Sequence, residues 1–365
     1  MNATLIQYLT EPLRIKLSKT MRVALFQAVF LNVVFLPFVI RSSSATRFYV
    51  PVMKYNRFIK NSTLVSEIGV GAWQLGDHSD WQTMSEQEAI ELVHEALHLG
   101  VNFFDTAPNY GLGSSELRLG KALRDTPRDK IVVNSKFGHQ SSGELNFDPG
   151  LIRESVEGSL RRLQFDYLDS VILHNPPREY LDGNTSPHYE IFEQLKEEGK
   201  IKAYGASVDT LEDMLVVLNT TNSEVIEAYF NIFHQEVSEA FDLALEKDVA
   251  IIAKIPLDSG WLSGKYDEHS TFTDIRSRWS KEDIRTRAGL VEELRSLIGK
   301  DRELAQTAIA FCAYYDAVST VIPGNSSIRQ LTQNVESIRH PLHDELIEQL
   351  ETFSQDNVQA LNLPW

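Results

Sequence analysis

A chain of 365 residues has room for two ordinary domains, or for one α/β barrel of roughly 250 residues with an extension. Hydrophobic, aromatic and charged fractions of 42%, 10% and 24% exclude disordered, collagen-like and fibrous classes, and a formal charge of -16 argues against nucleic acid as a partner, because phosphate binding needs a basic surface. The single cysteine, Cys312, excludes an intramolecular disulfide and a cysteine-based zinc site, and its apolar setting over residues 307–315 predicts a buried structural thiol.

Residues 1–52 differ from the rest. They carry six basic residues against one acid, Glu11, in an otherwise acidic chain. Arg14, Lys16, Lys19 and Arg22 precede an apolar run over residues 23–40, broken by Gln27, Asn32 and Pro37, which approaches the length of a membrane span of about 20 residues. Three readings are open. The run is an anchor with a cytoplasmic N-terminus, a bias that Arg41 and Arg47 on the far flank weaken; it belongs to a signal peptide cleaved near Ser43-Ser44-Ala45; or residues 1–52 are an upstream extension and Met53 is the natural start. The folded domain is expected over residues 53–365, and the protein is expected to be cytoplasmic unless the extension anchors it.

From about residue 64, short apolar runs alternate with longer amphipathic ones. The pattern predicts a strand over 68–72, a helix over 85–99, a strand over 101–104, a helix over 114–123 and a strand over 131–133. It continues with a helix over 151–163, a strand over 169–173, a helix over 188–198, a strand over 202–206, a helix over 211–218 and a strand over 225–230. A helix over 238–246 and a strand over 249–253 follow, then two additional helices (286–298 and 301–314), the eighth strand (318–322), a helix over 328–338 and a tail helix over 344–353. Ser85 with Glu88 reads as a capping box, Ser114 stands at the start of its helix, and Gly100 and Gly199 mark helix ends. Eight strands in regular βα alternation, without a glycine-rich first turn, predict a (β/α)8 barrel with extra helices before the last strand and a C-terminal helix.

A barrel of this kind performs its chemistry at the C-terminal strand ends. Asp105, Lys136 and His174 follow the second, third and fourth strands, and Tyr110 lies five residues past Asp105. Singly, each has an ordinary reading: a loop cap, a rim phenol, a solvated strand end, a core histidine. Together they suit protonation of a carbonyl oxygen. A phenol with a pKa near 10 is a weak acid at neutral pH, and a neighbouring ammonium, Lys136, is expected to lower it. Asp105 is the counter-ion that keeps a buried Lys136 charged, and His174 orients the carbonyl. No metal is required by this set.

The residues resemble the aldo-keto reductase family. The resemblance rests on Gly69-Val70-Gly71-Ala72-Trp73, on Phe104-Asp105-Thr106-Ala107-Pro108-Asn109-Tyr110-Gly111 with Ser114-Ser115-Glu116, on Ser135-Lys136 and His174, on Gly205-Ala206-Ser207, on Pro256-Leu257 with Gly264-Lys265-Tyr266, and on Val321-Ile322-Pro323-Gly324. It implies Tyr110 as proton donor, Lys136 and Asp105 as its tuning pair, and His174 as the carbonyl-orienting group. It also implies NADP(H) or NAD(H), with Gly71, Ala72, Trp73, Asp105, Ser207, Glu227, Lys254, Pro256, Leu257, Gly264, Ile322, Gly324, Ser326, Gln330 and Asn334 as cofactor contacts. The substrate would be a small carbonyl, alcohol or sugar.

The chain departs from the family at several of these positions. Val208 replaces the usual asparagine after Ser207, Glu227 replaces a glutamine, and Lys254 replaces a ring that stacks on nicotinamide, so that Lys254 is expected over the ring edge or paired with Glu227. The loop Gly324-Asn325-Ser326-Ser327 lacks the basic residue that commonly holds a ribose 2′-phosphate, which leaves the cofactor preference open; Arg329 is near. These departures support a second reading, a nicotinamide-binding sensor or regulatory barrel with little turnover, membrane-associated through residues 23–40. Among sequons at Asn61, Asn184, Asn219 and Asn325, the last would put a glycan on the cofactor loop, which counts against secretion. Aromatics in the loops, Trp73, Trp81, Phe147, Trp261 and Trp279, are expected to stack on substrate. The substrate's identity and the oligomeric state are not legible.

Overall fold

Runs such as Val132–Phe137 and Leu168–Leu173 are buried along their whole length, as strands covered on both faces must be. The computed structural model describes residues 53–59, 63–77, 84–361 and 363. The apolar run 23–40, the Asn61 sequon, Trp81 and the closing Pro364-Trp365 lie outside the described residues.

The chain opens with an antiparallel hairpin, β1 (Tyr55–Ile59) and β2 (Thr63–Ser66). The barrel strands follow: β3 (Val70–Gly71), β4 (Phe103–Asp105), β5 (Val132–Phe137), β6 (Leu168–Leu173), β7 (Ile201–Val208), β8 (Val225–Tyr229), β9 (Ala250–Lys254) and β10 (Val318–Ile322). They form one parallel sheet in sequential order from β3 to β10. Parallel bridges from Ile68 to Val321 and from Gly71 to Gly324 join its first strand to its last, and Gly69 N donates to Val321 O at 2.8 Å, so the cylinder closes.

The helices are α1 (Glu86–His98), α2 (Ser114–Leu123), α3 (Ile152–Leu163), α4 (His188–Glu197), α5 (Leu211–Thr220), α6 (Phe241–Glu246), α7 (Lys281–Ile298), α8 (Leu304–Tyr314), α9 (Ile328–Glu336) and α10 (Asp344–Asn357). The Ser85–Glu88 capping box forms reciprocally, and Gly100 and Gly199 take φ of +87° and +75° past their helices. Ser114 does not cap α2; its hydroxyl instead ties Asp77 N to Gly111 O. Helix α7 begins five residues before the apolar spacing suggests, because Ser280 and Asp283 form a second capping box. The hairpin is the element that alternation missed: Phe58, Ile59 and Val65 pack on Phe103, Val132, Val225 and Ala250, residues at the N-terminal ends of their strands, and so plug the barrel floor.

Candidate active site

Asp105 is the last residue of β4 and sits beside Asn134 of β5 in register, which brings it within reach of Lys136 two residues further along. Lys136 lies inside β5, one residue short of its end, and its side chain is fully buried. The ammonium donates to both Asp105 oxygens at 2.5 and 2.6 Å and to Thr106 O at 3.2 Å. Asn134, which sequence reasoning did not single out, donates to Asp105 at 2.7 Å and accepts from Ser170 Oγ at 2.6 Å, so the carboxylate is held from two sides. A lone buried lysine would lose its proton, and burial does press Lys136 that way. The facing carboxylates of Asp105 and Glu227, with Tyr110, more than reverse this and hold it above the ordinary lysine range.

Tyr110 stands where the chain leaves β4, at the head of a tight turn, Tyr110–Gly113, whose Gly111 and Leu112 have φ of +58° and +53°. Gly111 is required there, because a Cβ would overlap the backbone of Gly76 and Asp77. The turn aims the phenol back over the mouth. Its ring stacks on Trp73 at 5.7 Å, meets the His174 ring edge-on at 5.8 Å, and lies 5.2 Å from Lys136 Nζ. The four residues expected to act together therefore converge.

One expectation is corrected. Lys136 does pull the Tyr110 pKa down, but the net shift is upward: loss of water around the hydroxyl outweighs the ammonium, and the negative charges of Asp105 and Glu227 oppose it too. Lys136 thus limits the cost of a phenolate rather than making the phenol acidic. His174, just past β6, is driven well below the usual imidazole range by burial and by the charges of Lys136, His139 and Lys254, and so is neutral at physiological pH. Among the described residues its Nδ1 has no hydrogen-bond partner although it is buried, and neither does Glu227 Oε2.

Ser207 and Lys254 belong to a second cluster. Asn175 follows His174 with φ of +45°, a conformation asparagine tolerates better than most residues. Its Oδ1 accepts from Ser207 Oγ at 2.7 Å and from Lys254 Nζ at 2.6 Å, and Lys254 also donates to Ser207 Oγ at 2.8 Å and pairs with Asp209 at 2.7 Å. Lys254 is thereby tied to Asn175, Ser207 and Asp209, while Glu227 is paired with Lys136 at 3.3 Å. The only signal for Asn175 in the sequence was its place between His174 and a proline.

The remaining cofactor candidates line the rim. Gly71 ends β3 and Ala72 follows it, its N donating to Asp105 O at 2.8 Å. Pro256, Leu257 and Gly264 lie on the loop after β9, with Gly264 left-handed at φ +71°. Past Ile322, Gly324 lies against the Gln74 amide; Ser326 N and Oγ both donate to Gln330 Oε1, and Asn334 Nδ2 donates to Asn325 Oδ1 at 2.8 Å. Asn325 is only 1% exposed, which bars a glycan in this fold. Trp261 and Trp279 are buried against Tyr266 and Phe272, and Phe147 against Phe137, so these three rings do not offer a face to substrate, whereas Trp73 is half-buried and stacked on Tyr110. Cys312 is buried, donating to Phe230 O.

Residues 67–355 match the family model described as the aldo/keto reductase family. The chain belongs to that family. It is 31% identical over 283 residues to the L-galactose dehydrogenase of Arabidopsis thaliana, covering 75% of this chain and 84% of the relative. It is 26% identical to an NADH-specific methylglyoxal reductase of Escherichia coli, covering 77% and 92%. Among solved structures, an aldo-keto reductase of Bacillus halodurans in its holo form superposes with a TM-score of 0.71 at 29% identity, covering 86% of this chain and all of that one. A glycerol dehydrogenase of Gluconobacter oxydans gives 0.71 at 25% identity, covering 83% and 96%. As an aldo-keto reductase the protein is an NAD(P)H-dependent oxidoreductase acting between carbonyls and alcohols. The buried unpaired atoms at the mouth, His174 Nδ1, Glu227 Oε2, Gln74 Oε1 and Asn109 Oδ1, fit a polar ligand of this kind lying across it.

Proposed function

We propose that the enzyme reduces a small carbonyl or sugar-derived substrate with Tyr110 as the proton donor. The observation that carries this reading is the buried Lys136 ammonium, clamped by Asp105 and 5.2 Å from the Tyr110 ring. Nicotinamide, when bound, supplies the hydride, and Ser207, Asn175 and Glu227 would hold its carboxamide end. As charge develops on the carbonyl oxygen, the Tyr110 hydroxyl gives up its proton and Lys136 stabilises the phenolate left behind. Neutral His174 donates to the same oxygen and fixes its direction. Trp73, stacked on Tyr110, forms one wall for the substrate.

The same reading favours NAD(H). A cavity of about 320 Å³ lies between α1 and the start of α9, lined by Glu88 and Glu91 as well as Ser326, Ser327 and Arg329. Ser85 holds the Glu88 carboxyl below its ordinary range, so it is charged. Two carboxylates against one arginine repel a ribose 2′-phosphate, whereas a free 2′-hydroxyl can donate a hydrogen bond to either of them. A single free, buried cysteine and a buried Asn325 sequon support a cytoplasmic location, with residues 1–52 as an extension of the 53–365 barrel domain.

The test is a tryptophan-fluorescence titration with NADH and NADPH, followed by a panel of aldehydes, ketones, aldoses and polyols at fixed cofactor. We expect tighter NADH binding and turnover with at least one class. Cofactor binding with no turnover across the panel would instead speak for the sensor reading, which the engaged Ser207–Asn175–Lys254 cluster favours.

A further inference from the structure

Glu227, placed above at the carboxamide end of the cofactor, has so far no part in the proton transfer. It sits on β8, 3% exposed, in register with Ser207 of β7 and Ile252 of β9. The ammonium of Lys136 has three N–H bonds. Asp105 Oδ1, Asp105 Oδ2 and Thr106 O accept from it, and Glu227 Oε2, at 3.3 Å, is left with charge proximity but no hydrogen bond among the described residues. Two carboxylates thus face one ammonium inside a closed barrel. With both ionised the cluster carries a net negative charge in a place with little water, and Tyr110 would have to ionise beside it.

We propose that Glu227 is a positioning residue for the proton transfer: it competes with Asp105 for Lys136, and its protonation state decides how well Lys136 supports a Tyr110 phenolate. With Glu227 neutral, one ammonium faces one carboxylate, the cluster is uncharged, and the Tyr110 proton leaves more easily. With Glu227 ionised, the extra negative charge holds that proton on Tyr110, so carbonyl reduction slows. The charged and titratable groups that face Glu227 are Asp105 at the end of β4, Tyr110 in the turn beyond it, Lys136 on β5 and Lys254 on β9. Burial and the neighbouring Asp105 push its carboxyl up to about 7, against the pull of Lys136 and Lys254. Neither nearby histidine accounts for a neutral-range limb, because burial holds both His139 and His174 below the ordinary imidazole range.

The inference rests on Tyr110 as the donor, and the experiment separates the two. For the full-length enzyme with NADH and its best carbonyl substrate, kcat/KM is measured from pH 5.5 to 9 for wild type, Glu227→Gln, Glu227→Asp and Tyr110→Phe, with cofactor affinity titrated in parallel. We expect wild-type kcat/KM to fall about fivefold or more through the neutral range, Glu227→Gln to lose that limb and vary less than about twofold, and Glu227→Asp to keep it at a shifted pH. A Glu227→Gln profile that keeps the wild-type limb, or a wild-type profile without one, overturns the role of Glu227. Tyr110→Phe with near wild-type turnover overturns the donor assignment itself. Should Glu227→Gln fail to fold, the wild-type and Glu227→Asp profiles still decide: no shift between them contradicts the proposal.

Discussion

Two buried carboxylate clusters, one at each end of the barrel, are held in different ways. At the floor, Asp169 of β6 accepts from Arg128 Nη2 at 2.7 Å, from Val133 N at 3.0 Å and from Lys202 Nζ at 3.0 Å, and the hairpin closes the cylinder with Phe58 packed edge-on against Phe103 at 5.1 Å. At the mouth, a lysine is shared between two acids, an imidazole nitrogen and a carboxyl oxygen lack partners, and a tyrosine keeps its proton against a neighbouring ammonium. A satisfied charge contributes to a fixed structure. An unsatisfied one is held ready for a ligand or a proton, and the surrounding fold carries its cost.

The comparison breaks most readily at Lys136. Lys136→Met leaves Asp105 and Glu227 facing each other without a cation; we expect kcat to fall by about three orders of magnitude or more and stability by about 3–5 kcal/mol, read by steady-state kinetics and urea unfolding. Retained turnover would mean that the mouth is built like the floor, for stability alone. Phe58→Ala sharpens the same contrast from the other end. Removing a 2% exposed ring from the plug is expected to cost about 3–5 kcal/mol in urea unfolding while leaving kcat/KM within about twofold.

The barrel itself was legible because βα alternation is a strong periodic signal, and α2 was predicted with its observed ends, Ser114–Leu123. The hairpin was not legible. Tyr55–Ile59 alternates only weakly, and its apolar residues find their partners across the whole sequence, on the floors of β4, β5, β8 and β9. The four residues proposed to act together were legible one strand end at a time. Its electrostatic balance was not, because the sign of the Tyr110 shift depends on how much water the fold removes and on Glu227 arriving from β8, neither of which spacing records. Trp261 and Trp279 show the same gap: aromatic content suggested substrate contacts, and packing buried both.

The most direct measurement is Tyr110→Phe. Cofactor affinity, read by tryptophan fluorescence, is expected to stay within about threefold of wild type while carbonyl turnover drops by about three orders of magnitude or more. Turnover within tenfold of wild type would contradict it and place the proton donor elsewhere in the mouth.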